Sequence, residues 1–585
     1  MHQMDLSNIS IFEGLNEKQK EICLSTDNYV LTACPGSGKT RTLVHRLAFL
    51  HEKYPRSRKL NIAITFTNRA ADEMENRLND MGIESDSIWT GTIHQFCMQY
   101  IIRPYAMYCA RLKHGYHIID EYKKNEYGEQ IADELHIKIQ YQKYFENAQI
   151  RRKYEQIKRE NKEIDFDDIL SESFSLLNSN SFIAENIAAI IRSIHVDEYQ
   201  DTNELQYQII AQIVSKNKTI NVLFIGDVNQ AIYGNLGGIA KTPEEIRTLF
   251  GLPFREDCLN GCYRSTQRLI DYYEVYSVHK TNAKSLCTYA DSRGHISYDS
   301  SLNCRQLPET IASIIKETLN SGVTEEQICI AAPQWYRLYS LATELRQMLP
   351  DVRFNAPDIT AFKYDPLNPF YILARLSFTA AGQHMRIRKK LATEFISIMT
   401  MEYGIVFKDG FDNLSLLKTI NGIVQKKRFK DGIDCLYTVF SSIMSYFRGS
   451  ISSGDAIMRS FNVFIEKAES RIKNNDLARD YDSIAKCFDE KKGIVITTIH
   501  GTKGEEYDTV IAIELLNGVL PHWDYIRKDN LKTQRRDITN RLLYVLCSRA
   551  KKNLYLFSET GRYTNSGYPY LATDELRQYY YQYDK

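Results

Sequence analysis

The segment VLTACPGSGKT, Val30–Thr40, decides what kind of fold this chain forms. Its glycines Gly36 and Gly38 allow the backbone to curve tightly, so that peptide N–H groups face the oxygens of a phosphate chain. Lys39 adds a positive charge for the same oxygens, and the hydroxyl of Thr40 is a ligand for Mg²⁺. The segment therefore predicts a phosphate-binding loop for a nucleoside triphosphate.

The flanking sequence predicts a strand before this loop and a helix after it. Tyr29 and the apolar residues behind it are typical of a buried strand, and residues 40–50 repeat apolar side chains on one helical face. Such a helix directs its positive N-terminal dipole at bound phosphate. A glycine-rich turn without a ligand is the alternative, since Ala33 stands where the strict pattern has glycine. The expected nucleotide contacts are Ala33, Cys34, Pro35, Gly36, Ser37, Gly38, Lys39, Thr40 and Arg41.

Length and composition favour a multidomain globular protein. The 585 residues suffice for about three to four domains, and contents of 43% apolar and 25% charged residues are ordinary. A net charge of +1 neither supports nor excludes nucleic acid. The 12 cysteines form no CxxC pair, which favours a reduced, cytoplasmic protein without a metal cluster. We expect no membrane association, because no apolar run reaches the ~18 residues of a membrane span.

Short apolar runs typical of strands alternate with helical patterns, which predicts α/β layers with parallel sheets. The runs form two groups along the chain, separated by helical, charged segments at residues 97–164 and 365–489. We interpret these two segments as mostly helical insertions. Basic clusters within them, such as residues 386–390, either contact a phosphate backbone or form a solvated helix face. The predicted strands are Ile62–Thr65, Ile194–Val196, Val222–Ile225, Ile328–Ala331, Ile494–Thr497, Val510–Ile513 and Leu554–Phe557.

An acidic pair follows one of these strands, in the sequence VDEYQDTN, Val196–Asn203. A phosphate-binding loop requires a carboxylate to hold Mg²⁺ and a base for the attacking water. We assign the metal to Asp197 together with Thr40, and the role of base to Glu198. Capping of the following helix is the alternative role for the pair.

These two segments and others along the chain resemble, in the same order, the motifs of the UvrD/Rep/PcrA family of superfamily 1 DNA helicases. The resemblance covers most of the chain. The other matching segments are LNEKQ (15–19), TFTNRAADEM (65–74), GTIHQF (91–96), IDFDDIL (164–170), IGDVNQAIYGNLGG (225–238), LNGCYRS (259–265), TTIHGTKGEEYDTVI (497–511) and NRLLYVLCSRAKKNLYL (540–556).

The resemblance implies that the nucleotide is held between two lobes. Arg264 and Arg549 would reach the γ-phosphate from the second lobe. Because they stabilise the transferring group only when the cleft is closed, hydrolysis would be tied to lobe motion. The implied catalytic residues are Lys39, Asp197, Glu198, Gln230, Arg264 and Arg549. The other implied contacts are Gln19 at the adenine, Glu506 at the ribose and Tyr544 beside the nucleotide.

The resemblance also implies contacts to single-stranded DNA along the cleft. The sequence departs from the family pattern at Asn235 and Leu236, where the family usually has an aromatic residue and then an arginine, and at Cys262 in place of asparagine. The first departure bears on base stacking and on the coupling of the lobes. The implied DNA contacts are Thr65, Phe66, Asn68, Thr92, His94, Tyr233, His500 and Lys503.

The fold implied by the resemblance is a pair of RecA-like P-loop NTPase lobes, α/β with parallel sheets, each carrying a mostly helical insertion. The first lobe would comprise residues 1–96 plus 165–255, with the insertion 97–164. The second lobe would comprise residues 256–364 plus 490–585, with a reduced insertion at 365–489.

The implied activity is ATP-dependent, 3′–5′ DNA helicase or translocase activity, with ATP and Mg²⁺, on single-stranded or tailed duplex DNA. One alternative is a nucleotide-sensing regulatory subunit of a separate nuclease in anti-phage defence. The compact insertions, the Asn235 and Leu236 departure and the stretch IIRPY, residues 101–105, resemble the helicase-like subunit of the Gabija system. The other alternative is a P-loop kinase or NTPase that does not bind nucleic acid.

Overall fold

The computed structural model describes residues 10–579, apart from residues 56, 84–86, 120, 140–142, 235–236, 356–359, 364, 366, 383–384, 450–454, 475–476, 486–487, 489–492, 524–525 and 527–531. No helix among the described residues is long and apolar enough to span a membrane.

The first half of the chain contains eight described strands and the helices that connect them. The strands are β1 (Tyr29–Ala33), β2 (Leu60–Thr65), β3 (Ile88–Thr92), β4 (His117–Ile118), β5 (Glu163–Ile164), β6 (Ile191–Asp197), β7 (Asn221–Gly226) and β8 (Arg255–Leu259). The helices are α1 (Glu17–Leu24), α2 (Lys39–Lys53), α3 (Asn68–Asp80), α4 (Ile93–Cys97), α5 (Arg103–Tyr105), α6 (Glu121–Glu134), α7 (Ala148–Glu160), α8 (Phe166–Ser179), α9 (Ser181–Ile190), α10 (Glu204–Lys216) and α11 (Pro243–Phe250).

Six of these strands form one parallel sheet in the order β3-β2-β6-β7-β1-β8, which is the core of the first lobe. Helices cover both faces of the sheet, so its inner strands are continuous apolar runs. Strand β7, for example, is buried from Val222 to Gly226. Between β4 and β5, helices α6 and α7 enclose a small core of their own, which includes Ile131 and Ile150.

The second half of the chain repeats this architecture. Its strands are β9 (Gly261–Cys262), β10 (Lys284–Ser285), β11 (His295–Asp299), β12 (Ile328–Ala332), β13 (Phe354–Asn355), β14 (Ile494–Thr498), β15 (Tyr507–Ala512) and β16 (Ala550–Phe557). Its helices are α12 (Gln267–Tyr273), α13 (Leu307–Asn320), α14 (Trp335–Met348), α15 (Pro369–Phe378), α16 (Met385–Met401), α17 (Asn413–Lys426), α18 (Gly432–Met444), α19 (Ala456–Asn474), α20 (Tyr481–Ala485), α21 (Lys532–Cys547) and α22 (Asp574–Tyr579).

The second lobe is built on a parallel sheet with the order β11-β16-β15-β12-β14-β13. Helices α15–α20 form a separate helical body whose core includes Phe370, Leu436 and Phe461. The predicted fold class, two parallel α/β lobes with mostly helical insertions, is therefore confirmed. Six of the seven predicted strand runs lie wholly in strands, and Val510–Ile513 extends one residue beyond the end of β15. The sequence gives no apolar signal for β8, because its residues 255–258 are mostly exposed.

The helical body α15–α20 contacts helix α3 of the first lobe through ion pairs. Arg386 Nε and Lys390 Nζ each lie 3.1 Å from a carboxylate oxygen of Glu75, which is nearly buried. Nearby, an Arg375 guanidinium nitrogen lies 2.6 Å from Asp72 Oδ2. Two residues of the basic cluster at 386–390 therefore dock the insertion on the first lobe in this conformation.

A second contact joins the same body to helix α5. The side chain of Arg103, only 4% exposed, lies 2.8 Å from Glu394 and 3.2 Å from Glu402. Burial raises the pKa of Glu402 to about 7, although Arg103 opposes that shift. Arg103 thus partly offsets the cost of burying the charged form of this carboxylate.

Arg103→Met should destabilise the protein, because it leaves Glu402 buried without its cation. Breaking such a pair typically costs about 3 kcal/mol of unfolding free energy. The folded-state pKa of Glu402 lies above the unfolded value, so the folded protein binds the proton more tightly. The loss in the variant should therefore be smaller at about pH 5 than at about pH 8, as measured by urea denaturation.

The matched control is Arg77→Met, which removes an exposed ion pair with Glu73 on helix α3. Its unfolding free energy should change by less than about 0.5 kcal/mol. Equal losses in the two variants would contradict the role given to Arg103.

Candidate functional site

The phosphate-binding loop lies at the carboxyl end of β1, between Ala33 and the first residue of α2, Lys39. Gly36 and Gly38 have φ angles of 69° and 77°, a left-handed conformation that glycine adopts without strain. The buried hydroxyl of Ser37 has no hydrogen-bond partner among the described residues. An unsatisfied donor of this kind, beside the ammonium group of Lys39, suits a polyphosphate.

Gln19 supports the loop from helix α1. Its Nε2 donates to the Ser37 carbonyl at 3.0 Å, and its Oε1 accepts from the backbone N–H of Asn16 at 3.0 Å. Asn16 in turn donates to the hydroxyl of Tyr263 at 2.8 Å. Gln19, which is expected at the adenine, therefore contacts the phosphate-binding loop. Tyr263 of the second lobe contacts the neighbouring Asn16.

Two carboxylates expected from the sequence lie beside the loop, at the end of β6. The Thr40 hydroxyl donates to Asp197 Oδ2 at 3.3 Å, and Lys39 Nζ lies 3.9 Å from Glu198 Oε1. A hydroxyl and a carboxylate are the hard oxygen ligands that Mg²⁺ prefers. The residues present therefore fit a Mg²⁺–nucleotide complex.

The environment shifts the pKa values of the two carboxyl groups in opposite directions. Burial, followed by the neighbouring Glu198, raises the pKa of Asp197 to about 7. Burial alone would also raise the pKa of Glu198, but Lys39 and Lys503 hold it below its usual range. Glu198 also has φ of 52°, a strained conformation for a side-chain-bearing residue. The turn thus holds an ionised carboxylate next to the loop.

A hydrogen-bonded chain crosses from the first lobe to the second next to this pair. Gln230 Nε2 donates to Asp227 Oδ2 at 2.7 Å, and Arg549 donates to Gln230 Oε1 at 2.8 Å. Burial, followed by Arg264, lowers the pKa of Arg549 to about 10, which leaves it charged at neutral pH. The sequence analysis missed Asp227, although its position directly after β7 places it at the same sheet edge as Asp197.

Arg264 is the second arginine at the site. Its Nε lies 2.9 Å from Glu506 Oε2, and its Nη1 donates to the Ser548 carbonyl at 3.1 Å. Burial would raise the pKa of Glu506, but Arg264 and Lys551 hold it at about 2. The predicted γ-phosphate and ribose contacts are therefore paired with each other here.

Tyr544 packs in an apolar cluster of the second lobe, to which the phosphate-binding loop contributes one residue. Its ring lies 5.3 Å from that of Tyr273 in an edge contact, and Cys34 of the loop belongs to the same cluster. Tyr263 N–H donates to the Gly36 carbonyl at 2.8 Å. The second lobe therefore packs directly on the phosphate-binding loop.

Three of the predicted DNA contacts form a line of rings across the cleft. The rings of Phe66 and Tyr233 stack with centroids 4.6 Å apart, and the Tyr233 and His500 rings lie 5.8 Å apart. Tyr233 also donates its hydroxyl to the His500 carbonyl at 3.4 Å. Asn235 and Leu236, the departures from the family pattern, lie outside the described residues.

The other predicted DNA contacts from the first lobe lie at the carboxyl edge of its sheet, and the hydroxyl groups of two of them, Thr65 and Thr92, are hydrogen-bonded. Thr65 donates to a carbonyl two residues on, and Thr92 caps helix α4. Asn68 begins helix α3. His94 packs edge-on against Phe166, and burial lowers its pKa to about 4, so its ring is neutral.

Lys503 lies between the lobes. Its ammonium group pairs with Asp201 and donates to the Gln230 carbonyl at 2.7 Å, and its side chain is 7% exposed. Asp201 was not among the predicted site residues, although it belongs to the same segment as Glu198, VDEYQDTN. Only the packing of the two lobes brings Asp201 and Lys503 together.

Gly36→Ala should reduce ATP turnover by more than about tenfold, because an added Cβ would come within 2.5 Å of Arg264 Cβ. Gly322→Ala is the matched control, since Gly322 also has positive φ but nothing described within 4 Å. Both variants carry backbone strain of about 1 kcal/mol, so that strain alone does not account for a difference between them. A steady-state ATPase assay on both variants measures this, and equal turnover would refute it.

Two family models match this chain. The UvrD/REP helicase N-terminal domain matches residues 15–147 and 130–250, and the UvrD-like helicase C-terminal domain matches residues 384–560. Together they cover most of the chain, including the phosphate-binding loop and the segment that contains Arg549.

Curated relatives give the same result at low identity. The ATP-dependent DNA helicase PcrA of Staphylococcus epidermidis is 23% identical over 651 residues, covering 94% of this chain and 84% of the relative. PcrA of Bacillus subtilis is 25% identical over 637 residues, covering 93% of this chain and 83% of the relative. The matched domains and the two-lobed site agree, and the chain belongs to the UvrD/REP family of superfamily 1 helicases.

Proposed function

We propose that this protein is an ATP-dependent DNA helicase or translocase that moves 3′ to 5′ on single-stranded DNA. The observation that carries the proposal is the Asp227–Gln230–Arg549 chain, which joins the lobes beside Glu198. Charge on a transferring phosphoryl group is stabilised by this arginine only while the lobes are together. Each turnover would then be coupled to closing and opening of the cleft.

The roles of the side chains follow from their charges. Glu198, ionised at neutral pH, accepts a proton from the attacking water, and Lys39 faces the phosphate oxygens. Thr40 and Asp197 would hold Mg²⁺, which neutralises charge on those oxygens. Arg264 would exchange its partner Glu506 for the γ-phosphate. Gln19 would orient the adenine from the base of the loop.

DNA is proposed to cross the aromatic line of Phe66, Tyr233 and His500. Stacked rings that span two lobes can each take a base, and base stacking tolerates any sequence. Alternate gripping by the lobes would ratchet the strand through the cleft. Relatives named as ATP-dependent DNA helicases support this substrate, and the 3′–5′ direction rests on the family resemblance.

The division of the chain into 1–96 plus 165–255, 97–164, 256–364 plus 490–585, and 365–489 is proposed on the same footing. In this division the insertions carry no nucleotide ligand, and each lobe supplies one wall of the site. The residues proposed for ATP and for DNA all fall in the two lobes.

A nucleotide-sensing subunit of a separate nuclease is the second candidate. It is favoured by an exposed aromatic patch directly after the IIRPY stretch, where Met107 is 69% exposed and Tyr108 is 51% exposed beside Phe182. Apolar side chains grouped in this way on a surface are typical of contacts with another protein. This candidate would be favoured if the protein co-purifies with a nuclease encoded by a neighbouring gene. It would also be favoured if the isolated protein turns over ATP but displaces no strand.

Lys39→Ala and Glu198→Gln should each lower DNA-stimulated ATP turnover by at least about 100-fold, because one removes the phosphate cation and the other removes the base. Lys316→Ala, on the exposed face of helix α13, is the control. Its rate of ATP turnover should equal that of the protein without substitutions. Strand displacement should occur on duplexes with 3′ tails and fail on 5′ tails. ATP turnover that is equal with and without DNA would contradict the proposal.

Tyr233→Ala should weaken binding of single-stranded DNA by about 1–3 kcal/mol, the usual contribution of one stacked base. Fluorescence anisotropy with a labelled oligonucleotide measures the affinity. Tyr437→Ala, which removes an exposed tyrosine from the helical body, should leave it unchanged. If both variants bind DNA equally well, the aromatic line is not the DNA track.

A further inference from the structure

Lys503 occupies a junction that neither ATP binding nor DNA stacking explains by itself. Its ammonium group pairs with Asp201, donates to the Gln230 carbonyl at 2.7 Å, and lies 5.1 Å from the centre of the Tyr233 ring. Gln230 holds Arg549, and Tyr233 stacks on Phe66. The Lys503 ammonium group therefore lies next to both Gln230, which holds Arg549, and the Tyr233 ring at the centre of the aromatic line.

The partner carboxylate is built into the catalytic turn. Asp201 lies three residues after Glu198, its side chain is fully buried, and its N–H donates to the Glu198 carbonyl at 3.0 Å. Burial raises the pKa of Asp201 to about 6, with Lys503 opposing the shift. The second oxygen, Oδ1, has no hydrogen-bond partner within the described part of the chain. Asp201 therefore depends on Lys503 for its charge.

The pair also links the two lobes, because Asp201 follows β6 of the first sheet and Lys503 follows β14 of the second. Removing one partner of a buried ion pair leaves an uncompensated charge, which is costly. Separating the lobes separates the two residues, so the pair favours the closed cleft. Its positive end also lowers the pKa of Glu198, the proposed base.

We propose that Lys503 and Asp201 are positioning residues that couple occupancy of the aromatic line to closure of the ATP site, and that Lys503 is not a phosphate contact for DNA. This inference rests on the proposed function. A base that stacks on Phe66 and Tyr233 fixes the Tyr233 ring, and the Lys503 ammonium group beside that ring then remains in place between Asp201 and Gln230. Gln230 in turn keeps Arg549 aimed at the nucleotide.

The alternative is the direct one expected from the sequence, in which Lys503 contacts the DNA backbone. A phosphate contact requires a cation that DNA can reach, and the Lys503 side chain is 7% exposed with two protein oxygens already bound. The two roles differ in what they control. A phosphate contact sets the affinity for DNA, whereas a positioning residue sets how strongly bound DNA accelerates ATP turnover.

Three variants separate these roles: Lys503→Met, Asp201→Asn and the double variant. The readouts are the affinity for an oligonucleotide without nucleotide and the ratio of ATP turnover at saturating oligonucleotide to turnover without it. Each single variant should lower that ratio about tenfold and change the affinity less than about threefold. The double variant should fall no further than the singles, because one interaction is removed in all three.

Lys316→Met is the matched control and should change neither readout. Lys503→Arg, which keeps the charge, should recover part of the ratio, and circular dichroism checks that each variant is folded. A drop in affinity of about tenfold or more with the ratio intact at saturation would overturn the inference in favour of a phosphate contact. Losses that multiply in the double variant would also overturn it. If the ATP turnover of the protein without substitutions is the same with and without DNA, the proposed function is contradicted instead.

Discussion

The contact of Arg549 with Gln230 is the interaction on which the rest of the site depends. It brings a charged guanidinium from the second lobe against a residue that Asp227 of the first lobe holds in place. Burying that cation is unfavourable unless hydrogen bonds surround it, and Val545, Glu505 and Gln230 supply them. Gln230 belongs to the first lobe, so the arginine has this partner only while the cleft is closed.

The same constraint explains why charged groups gather at this edge of the sheets. The described strands of each main sheet are all parallel, so the loops that carry the proposed site residues follow the carboxyl ends of β1, β6, β7 and β14. Packing the two edges face to face buries several charges together. Some are stabilised by a partner in the other lobe, as Lys503 is by Asp201, and others by a partner in the same lobe, as Arg264 is by Glu506. The charged groups at this edge therefore form a network that both lobes share.

The helical body α15–α20 is held by a different set of ions. Its chain ends belong to the second lobe, yet Arg103, Asp72 and Glu75 of the first half of the chain bind it. The sequence left residues 386–390 open as either a phosphate contact or a solvated helix face, because it shows charges but not their partners. Glu75 is more than 300 residues away along the chain, and no local pattern relates it to Lys390.

The sequence by itself determined the parallel α/β class, the phosphate-binding loop and the acidic pair, because these depend on short spacings and on apolar runs that a buried strand requires. The predicted strand runs omitted β3, β11 and β8, the last of which mostly faces solvent, and Asp227 was not among the predicted site residues although it directly follows β7. The tertiary structure decided that Lys503 faces Asp201 and that Arg264 is paired with Glu506. Lys503 and Asp201 belong to two separately folded lobes, and Arg264 and Glu506 belong to distant segments of the second lobe. Only the tertiary packing therefore brings these charges within reach of each other.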